Sequence, residues 1–350
     1  MAVYVPKVEQ IEIPEDLLAA NASLEEKGWT DGLPVIPPTE PRVGRMLAGT
    51  TRDPQEEVGV VPPRWAPATV EKIAINAVMA GCLPEYMPVL LTAVEADAEP
   101  RLNLYSLQAT TGGPAILLIV NGPIRHLLKI NSGPNVFGEG FKANATIGRA
   151  LRLILRNIGG AYPGSSCKAT LGWPGKFSLC IAENEEATSW TPLHIERGFP
   201  AGSSAVTAVS VDSYTRIGEQ GSPSAEAVLC ILTQWLQRPG SAEAVMVICP
   251  EHAEMLSGVG IDKAKLRTIL WERALFDWKA VPEDLFALRV KRRPDLRITR
   301  DTVFHIVDKP DDIIVVVAGG PGLHSAFLHV WGQSTPEGGS TRSVTKLIRG

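Results

Sequence analysis

Four segments of this chain gather side chains that can do chemistry. The first is AGCLPEYMP, Ala80 to Pro88. Gly81 suits the left-handed position past one helix and Pro84 the first turn of the next, which puts Cys82 at a helix N-terminus. The helix dipole and unpaired N–H groups there favour thiolate, the form that attacks as a nucleophile. Glu85 and Tyr86 lie within one turn as acid or base, Tyr86 also as a substrate contact. The same position equally suits a small buried thiol filling a helix–helix corner.

The second segment is CIAENEEATSWTPLHIERGF, Cys180 to Phe199, with Glu183, Glu185, Glu186, His194, Glu196 and Arg197 directly after an expected strand. Crowded carboxylates repel, so one can keep a proton near neutral pH and act as general acid. His194 brings a group that titrates in that range. Glu and His together could also hold a divalent metal, although no His-Glu-x-x-His spacing occurs. A solvated acidic loop with one buried histidine is the plain alternative.

The third is the helix Asn144 to Asn157. Arg149, Arg152 and Arg156 fall on one face and Ile147, Leu151 and Leu155 on the other. Aligned arginines can clamp a carboxylate or phosphate; an exposed amphipathic face has the same pattern. The loop before it, with Asn131, Ser132 and Asn144, leads into a helix start and suits an anion. It carries neither the Gly-Lys-Ser/Thr of a Walker loop nor Rossmann glycine spacing. The fourth segment is VVVAGGPGLHSAF, Val315 to Phe327. Gly319, Gly320 and Gly322 expose backbone N–H groups after a buried strand and can cradle an anion or oxyanion. His324 and Ser325 follow; as neighbours they make no triad, yet each can reach a ligand.

Elements must position these segments. Periodicity and capping predict helices over Thr69–Ala80, Pro84–Ala98, Asn144–Asn157 (capped by Asn144 or Thr146), Ser224–Gln237 and Lys263–Ala274. Strands are predicted at Arg101–Gln108, Ala115–Asn121, Phe177–Glu183, Ala205–Val211, Ala244–Cys249 and Asp312–Ala318. The fold class is α/β: an α+β lobe, then a three-layer α/β lobe. Residues 1–66 read as an extended arm, 67–215 as the lobe with Cys82 and the Glu/His cluster, and 216–350 as the lobe ending in the Gly-rich turn. Gly198, Pro200, Gly202, Gly218, Gly221 and Pro223 punctuate the boundary region. No internal repeat is visible. Within the arm, Trp29 to Val43 holds four prolines beside Trp29, Leu33, Val35 and Ile36, so it should be ordered and packed on the body or on a neighbouring subunit.

Composition narrows the function classes. The chain has 350 residues and a net charge of −4 from 34 basic and 38 acidic residues, so nucleic acid and anionic membranes exert no general attraction. The basic run Arg289 to Arg293 reads as a solvated loop or strand edge. The longest apolar runs, Ala115–Val120 and Ile313–Ala318, are too short to span a bilayer. The N-terminus lacks the pattern of a secretory signal. Five cysteines without Cys-x-x-Cys spacing fit reducing cytoplasm.

The strings LPVIPPTE, AGCLPEYMP, LIVNGPI, NSGPNVFGEGFKANATIGRALRLILRNIGG, PGKFSLCIAENEE, PLHIERGF and VVVAGGPGLHS resemble the long members of the uncharacterised UGSC group of (seleno)proteins. The resemblance runs from about Trp29 to the C-terminus. The group's name implies a selenocysteine–Gly–Ser–Cys redox motif in some members. The nearest string here is Gly164-Ser165-Ser166-Cys167, which has no second redox atom. The resemblance implies a coherent family and no particular reaction.

The sequence thus points to a small-molecule enzyme. In the absence of a nucleotide fingerprint a hydrolase or lyase is expected, with Cys82, Glu85, Glu183, Glu186, His194 and His324 as acid–base or nucleophilic groups. Tyr86, Asn131, Ser132, Asn144, Arg149, Arg152, Gly319, Gly320, Gly322 and Ser325 would hold the substrate. A metal-dependent enzyme with Glu and His ligands is the second reading, although no metal ligand is assigned and the cofactor is left open. A non-catalytic binding or assembly protein, docking through the arm, is the third. The expected partners are a small-molecule substrate and other copies of the chain, with no nucleic acid and no membrane. Two geometric expectations follow: Cys82, Glu186 and His194 share one cavity, and at least one helix arginine pairs with a carboxylate of 183–196 or an anion.

Overall fold

The computed structural model describes residues 4–218, 223–236, 242–292, 294, 297–332 and 340–349. Gly221, Gln237 and Arg293, which the sequence reading touches, lie outside the described residues. In chain order the elements are α1 (Leu17–Glu26), α2 (Glu40–Leu47), β1 (Glu57–Val61), β2 (Ala66–Thr69), α3 (Val70–Ala80), α4 (Met87–Asp97), α5 (Leu104–Ala109), β3 (Ala115–Asn121), α6 (Ile124–Leu127), α7 (Lys142–Asn157), β4 (Cys180–Ala182) and α8 (Leu193–Glu196). They continue with β5 (Ala205–Val211), β6 (Thr215–Gly218), α9 (Ala225–Trp235), β7 (Ala244–Ile248), α10 (Pro250–Gly258), α11 (Lys263–Arg273), β8 (Leu275–Asp277), α12 (Glu283–Arg292), β9 (Val303–His305), β10 (Ile313–Val317), β11 (His324–Leu328) and β12 (Val344–Leu347). Local chemistry accounts for several boundaries. Thr69 caps α3 by accepting from Lys72 N–H, Ser224 caps α9 and Asp262 caps α11 in the same way, and Gly81 ends α3 in the left-handed region at φ 87°.

The chain is α/β, built around two sheets of equivalent topology. The first sheet has the order β4-β3-β5-β12 and the second β10-β7-β11-β6. In each, the first two strands are parallel and the rest antiparallel. The fourth strand of each sheet follows the third strand of the other: β6 leaves β5 to pair with β11, and β12 comes after β11 to pair with β5. The registers match as well, since Phe327 lies opposite Thr215 as Ala208 lies opposite Val344. With Ala208 and Phe327 as equivalents, Val211 matches Val330, and these two form a bridge. The hydrogen bonds Asp212 N–H to His329 O and Trp331 N–H to Ser210 O are then exchanged by the same equivalence. The two halves are a structural repeat with swapped edge strands, which the sequence does not reveal.

The sheets pack face to face. Leu117, Ile119, Ile181 and Val209 of the first meet Val245, Val247, Ile314, Val316 and Leu328 of the second in one apolar cluster. On the outer face of the first sheet lie α3, α4 and α7, and on that of the second α9, α10 and α11. Strands buried on both faces are largely apolar, as β3, β5, β7 and β10 are, and the polar exceptions Asn121, Thr207 and Ser210 are hydrogen-bonded. Each sheet therefore has helices on one side only; the inner face of the second sheet is covered by the first sheet rather than by a further helical layer.

Several local expectations change. Arg101–Gln108 is not a strand: Asn103 turns left-handed at φ 57°, and Leu104, Leu107 and Gln108 bury one face of α5. The arm is not extended throughout, because Asp16 caps α1 and Pro41 sits at the start of α2. Between those helices it stays irregular and packed, with Thr30 and Val35 buried. Of the basic run, Arg289, Lys291 and Arg292 occupy the last turn of α12, where positive charge complements the helix dipole.

Candidate functional site

The carboxyl ends of β4, β7 and β10 converge where the two halves meet. Asn184 N–H donates to Val317 O, Ala318 N–H to Ile248 O, and Gly319 N–H to Ser132 O. These bonds draw the turn Gly319–Gly322, the loop 131–138 and the segment after β4 around a cleft of about 680 Å³. Its lining includes Asn184, Glu186, Ser189, Glu251, Glu254, Ser257, Gly319 and Gly320. A side chain at Gly320 would place its Cβ 2.5 Å from Pro134 Cγ, so glycine is what lets turn and loop close up. Strand ends at such a junction are where α/β proteins place ligands.

Glu251 stands on the first turn of α10. Its Oε1 accepts Gly322 N–H, while its Oε2 is buried without a protein partner. Behind it, Cys249 N–H donates to Ser325 Oγ at 3.1 Å, and Ser325 Oγ lies 2.8 Å from His252 Nδ1. Burial lowers the His252 pKa, against the Glu251 charge that raises it, so the imidazole favours its neutral form. Ser325 and His252 are buried to 3% and 2% exposure, and together they tie β11 to the start of α10.

The glutamate cluster forms a closed network beside this cleft. Glu183 Oε1 pairs with Lys263 Nζ at 2.7 Å, and Oε2 accepts from Asn121 Nδ2 and Leu193 N–H. Glu185 accepts from Asn121 and Gly122 and pairs with Arg125. Arg267 holds Glu196 through two bonds. Hydrogen bonds from Arg125, together with His126, outweigh desolvation and hold the Glu186 carboxyl at about 2. The expectation that crowding leaves one of these groups protonated is corrected for Glu186: Arg125 keeps it an anion. His194 is fully buried, lines neither this cleft nor the smaller pocket beside it, and its Nδ1 stands 3.9 Å from Glu185.

Cys82 is not brought to this cluster. Its N–H donates back to Ala77 O at the C-terminal end of α3, and α4 begins only at Met87, after a short 3₁₀ turn. The thiol packs against α7 and donates to Thr146 O at 3.2 Å. Burial raises its pKa to about 12. That is the setting of a packing thiol, with Tyr86 buried and Glu85 exposed beside it. The helix arginines also serve another end. Arg149 grips Asp31 with Nε and Nη2, Arg152 donates to Ala161 O, and Arg156 donates to Gly28 O. None pairs with 183–196, so the expected clamp is instead the anchor of the arm and of the turn after α7.

Asn131 and Asn144 are braces as well. Asn144 Oδ1 accepts Asn131 N–H, and its Nδ2 donates to Asn131 O and Cys180 O, which fixes the loop against β4. Ser132 contributes its carbonyl to Gly319. Of the residues singled out from sequence, Glu186, Gly319 and Gly320 line the cleft, and His324, Ser325 and Gly322 line a smaller pocket across the turn. Glu251, Glu254, His252 and Asn184 were missed. The signal for the first three was Pro250, a helix-starting residue directly after an apolar strand. Among the described residues no group of three or more His, Cys, Asp or Glu is placed to hold a metal ion, and no helix is long and apolar enough to cross a membrane. Compared with known families, curated proteins and solved structures, the chain matches none.

Proposed function

We propose that the protein is a small-molecule enzyme of the hydrolase or lyase type, working in the cleft between its two halves. The observation that carries this reading is Glu251, with one carboxylate oxygen held by Gly322 N–H and the other lacking a protein partner, on the wall of the cleft. A carboxylate fixed in this way can take or return a proton at a bound substrate, a role worth roughly 10²–10⁴ in rate. The cleft's size, about 680 Å³, suits a small organic molecule. The glycines of the facing turn leave room for close approach of its backbone to substrate.

Three further statements belong to the same proposal. Membership of the long UGSC-like group rests on the strings from Trp29 onward. A reducing, cytoplasmic setting fits five cysteines that are all free. Self-association through the arm fits Trp29, Leu33 and Ile36, which stay 38%, 44% and 44% exposed.

The test is turnover of a panel of small esters, amides and hydroxy acids by the purified protein and by Ser257→Trp, which fills the cleft. Turnover of at least one compound, lost in the variant at an unchanged unfolding midpoint, is the expected result. No turnover across the panel, or equal turnover by the variant, overturns the reading.

A further inference from the structure

A second, smaller pocket of about 270 Å³ lies on the other side of the Gly-rich turn. It shares Pro134, Gly319, Gly320 and Pro321 with the main cleft, so the two spaces adjoin across one turn. Its walls come from both halves: loop 134–138 and Tyr214 from the first, His324 and the turn from the second. Phe137 and Tyr214 meet edge to face with ring centroids 5.3 Å apart. Among the described residues no carboxylate lines it.

The swapped strand β6 sets the charge beside this pocket. Tyr214 and Arg216 are two residues apart in extended chain and so share a face. Register places Gly218 opposite His324 and Arg216 opposite Ala326. The imidazole lies over Gly218, where a Cβ would fall 2.2 Å from His324 Nδ1, so only glycine admits the ring there. Arg216 Nη1 then donates to His324 Nε2 at 3.4 Å. Among the described residues Arg216 has no carboxylate partner, unlike Arg125, Arg149 and Arg267, which each hold one. With His324 held by that bond, the guanidinium keeps its other N–H donors without a partner among the described residues, and a carboxylate can take them.

We propose that this pocket seats the carboxylate end of a small aromatic acid, with Arg216, beside the pocket and oriented by His324, on the carboxylate and Phe137 and Tyr214 against the ring. The inference rests on the reading of the cleft as a substrate site and names the substrate class: a planar ring acid whose far end crosses the turn towards Glu251. Arg216 offers two parallel N–H donors, the geometry a carboxylate fills best. The edge-to-face ring pair supplies apolar edges and faces for a flat group. His324, expected as an acid–base group, here orients Arg216, which sequence reading passed over because β6 looked like part of a domain boundary.

Benzoate binding to the full-length protein, followed by calorimetry, tests this without any turnover. Benzoate should bind saturably with one site. Arg216→Gln should weaken it at least about tenfold, as loss of a charge-assisted contact does, and His324→Gln should weaken it less. Benzamide, the same shape without the charge, should bind no better than benzoate binds to Arg216→Gln. No benzoate binding, or equal binding by Arg216→Gln, overturns the seat while leaving the turnover test of the cleft standing. Because Arg216 is exposed, its variant should fold, and an unchanged unfolding midpoint checks that it has.

Discussion

Replacing Lys263 with Met should destabilise the protein more than any surface change. Lys263 and Glu183 are 2% and 1% exposed and sit 2.7 Å apart where β4 of one half meets α11 of the other. Removing the ammonium leaves a carboxylate in the interior with only Asn121 Nδ2 and Leu193 N–H to stabilise it. Orphaning one member of a buried pair costs about 3–5 kcal/mol. Removing both charges, in Lys263→Met with Glu183→Leu, takes away the buried charge but also strands Leu193 N–H and one of the two N–H groups of Asn121 Nδ2, the other being held by Glu185, leaving a net loss of roughly 1–3 kcal/mol. The assay is urea unfolding of the two single variants, the double variant and the parent, with the slope checked for constancy. The reasoning fails if Lys263→Met costs under about 1 kcal/mol, or if the double variant is less stable than Lys263→Met.

Iodoacetamide should label exposed Cys230 first, while Cys82, buried and with its pKa at about 12, resists in the native protein; rapid labelling of Cys82 near neutral pH would restore it as a nucleophile. Asp31 is opposed in its charge by burial, but the hydrogen bonds from Arg149 win and lower its pKa. A lowered folded pKa contributes stability that is present above the unfolded value of about 4 and lost as pH falls through the folded one. Asp31→Asn should therefore flatten the acid side of the stability profile below about pH 4 and speed proteolysis within residues 14–40; an unchanged profile and cleavage rate would remove Asp31 as the arm's anchor.

What was legible in the sequence is what local chemistry dictates. Apolar runs at Ala115–Asn121 and Ala205–Val211 read as buried strands, and Thr69 reads as the cap of α3. Gly319, Gly320 and Gly322 form a turn at a ligand-sized space, as their spacing after β10 suggested. What was not legible depends on partners distant in sequence. Cys82 looks activated until α7 closes over it. The arginines of α7 look like an anion clamp until Asp31 arrives from the arm. Glu183 looks like an acid until Lys263, eighty residues on, takes its charge. The repeat was hidden because strand register, not residue identity, carries it. The misreading of Arg101–Gln108 has a local cause: Leu102 and Leu104 alternate like a strand, but Leu104, Leu107 and Gln108 follow helical spacing.

The central claim is that chemistry happens at Glu251 in the inter-half cleft and not at Cys82. The most direct measurement is kcat for Glu251→Gln and Cys82→Ser on one substrate, with both variants shown to be folded. The account predicts a loss of about 10²-fold or more for Glu251→Gln and near-parental turnover for Cys82→Ser. Near-parental turnover by Glu251→Gln, or loss confined to Cys82→Ser, would contradict it.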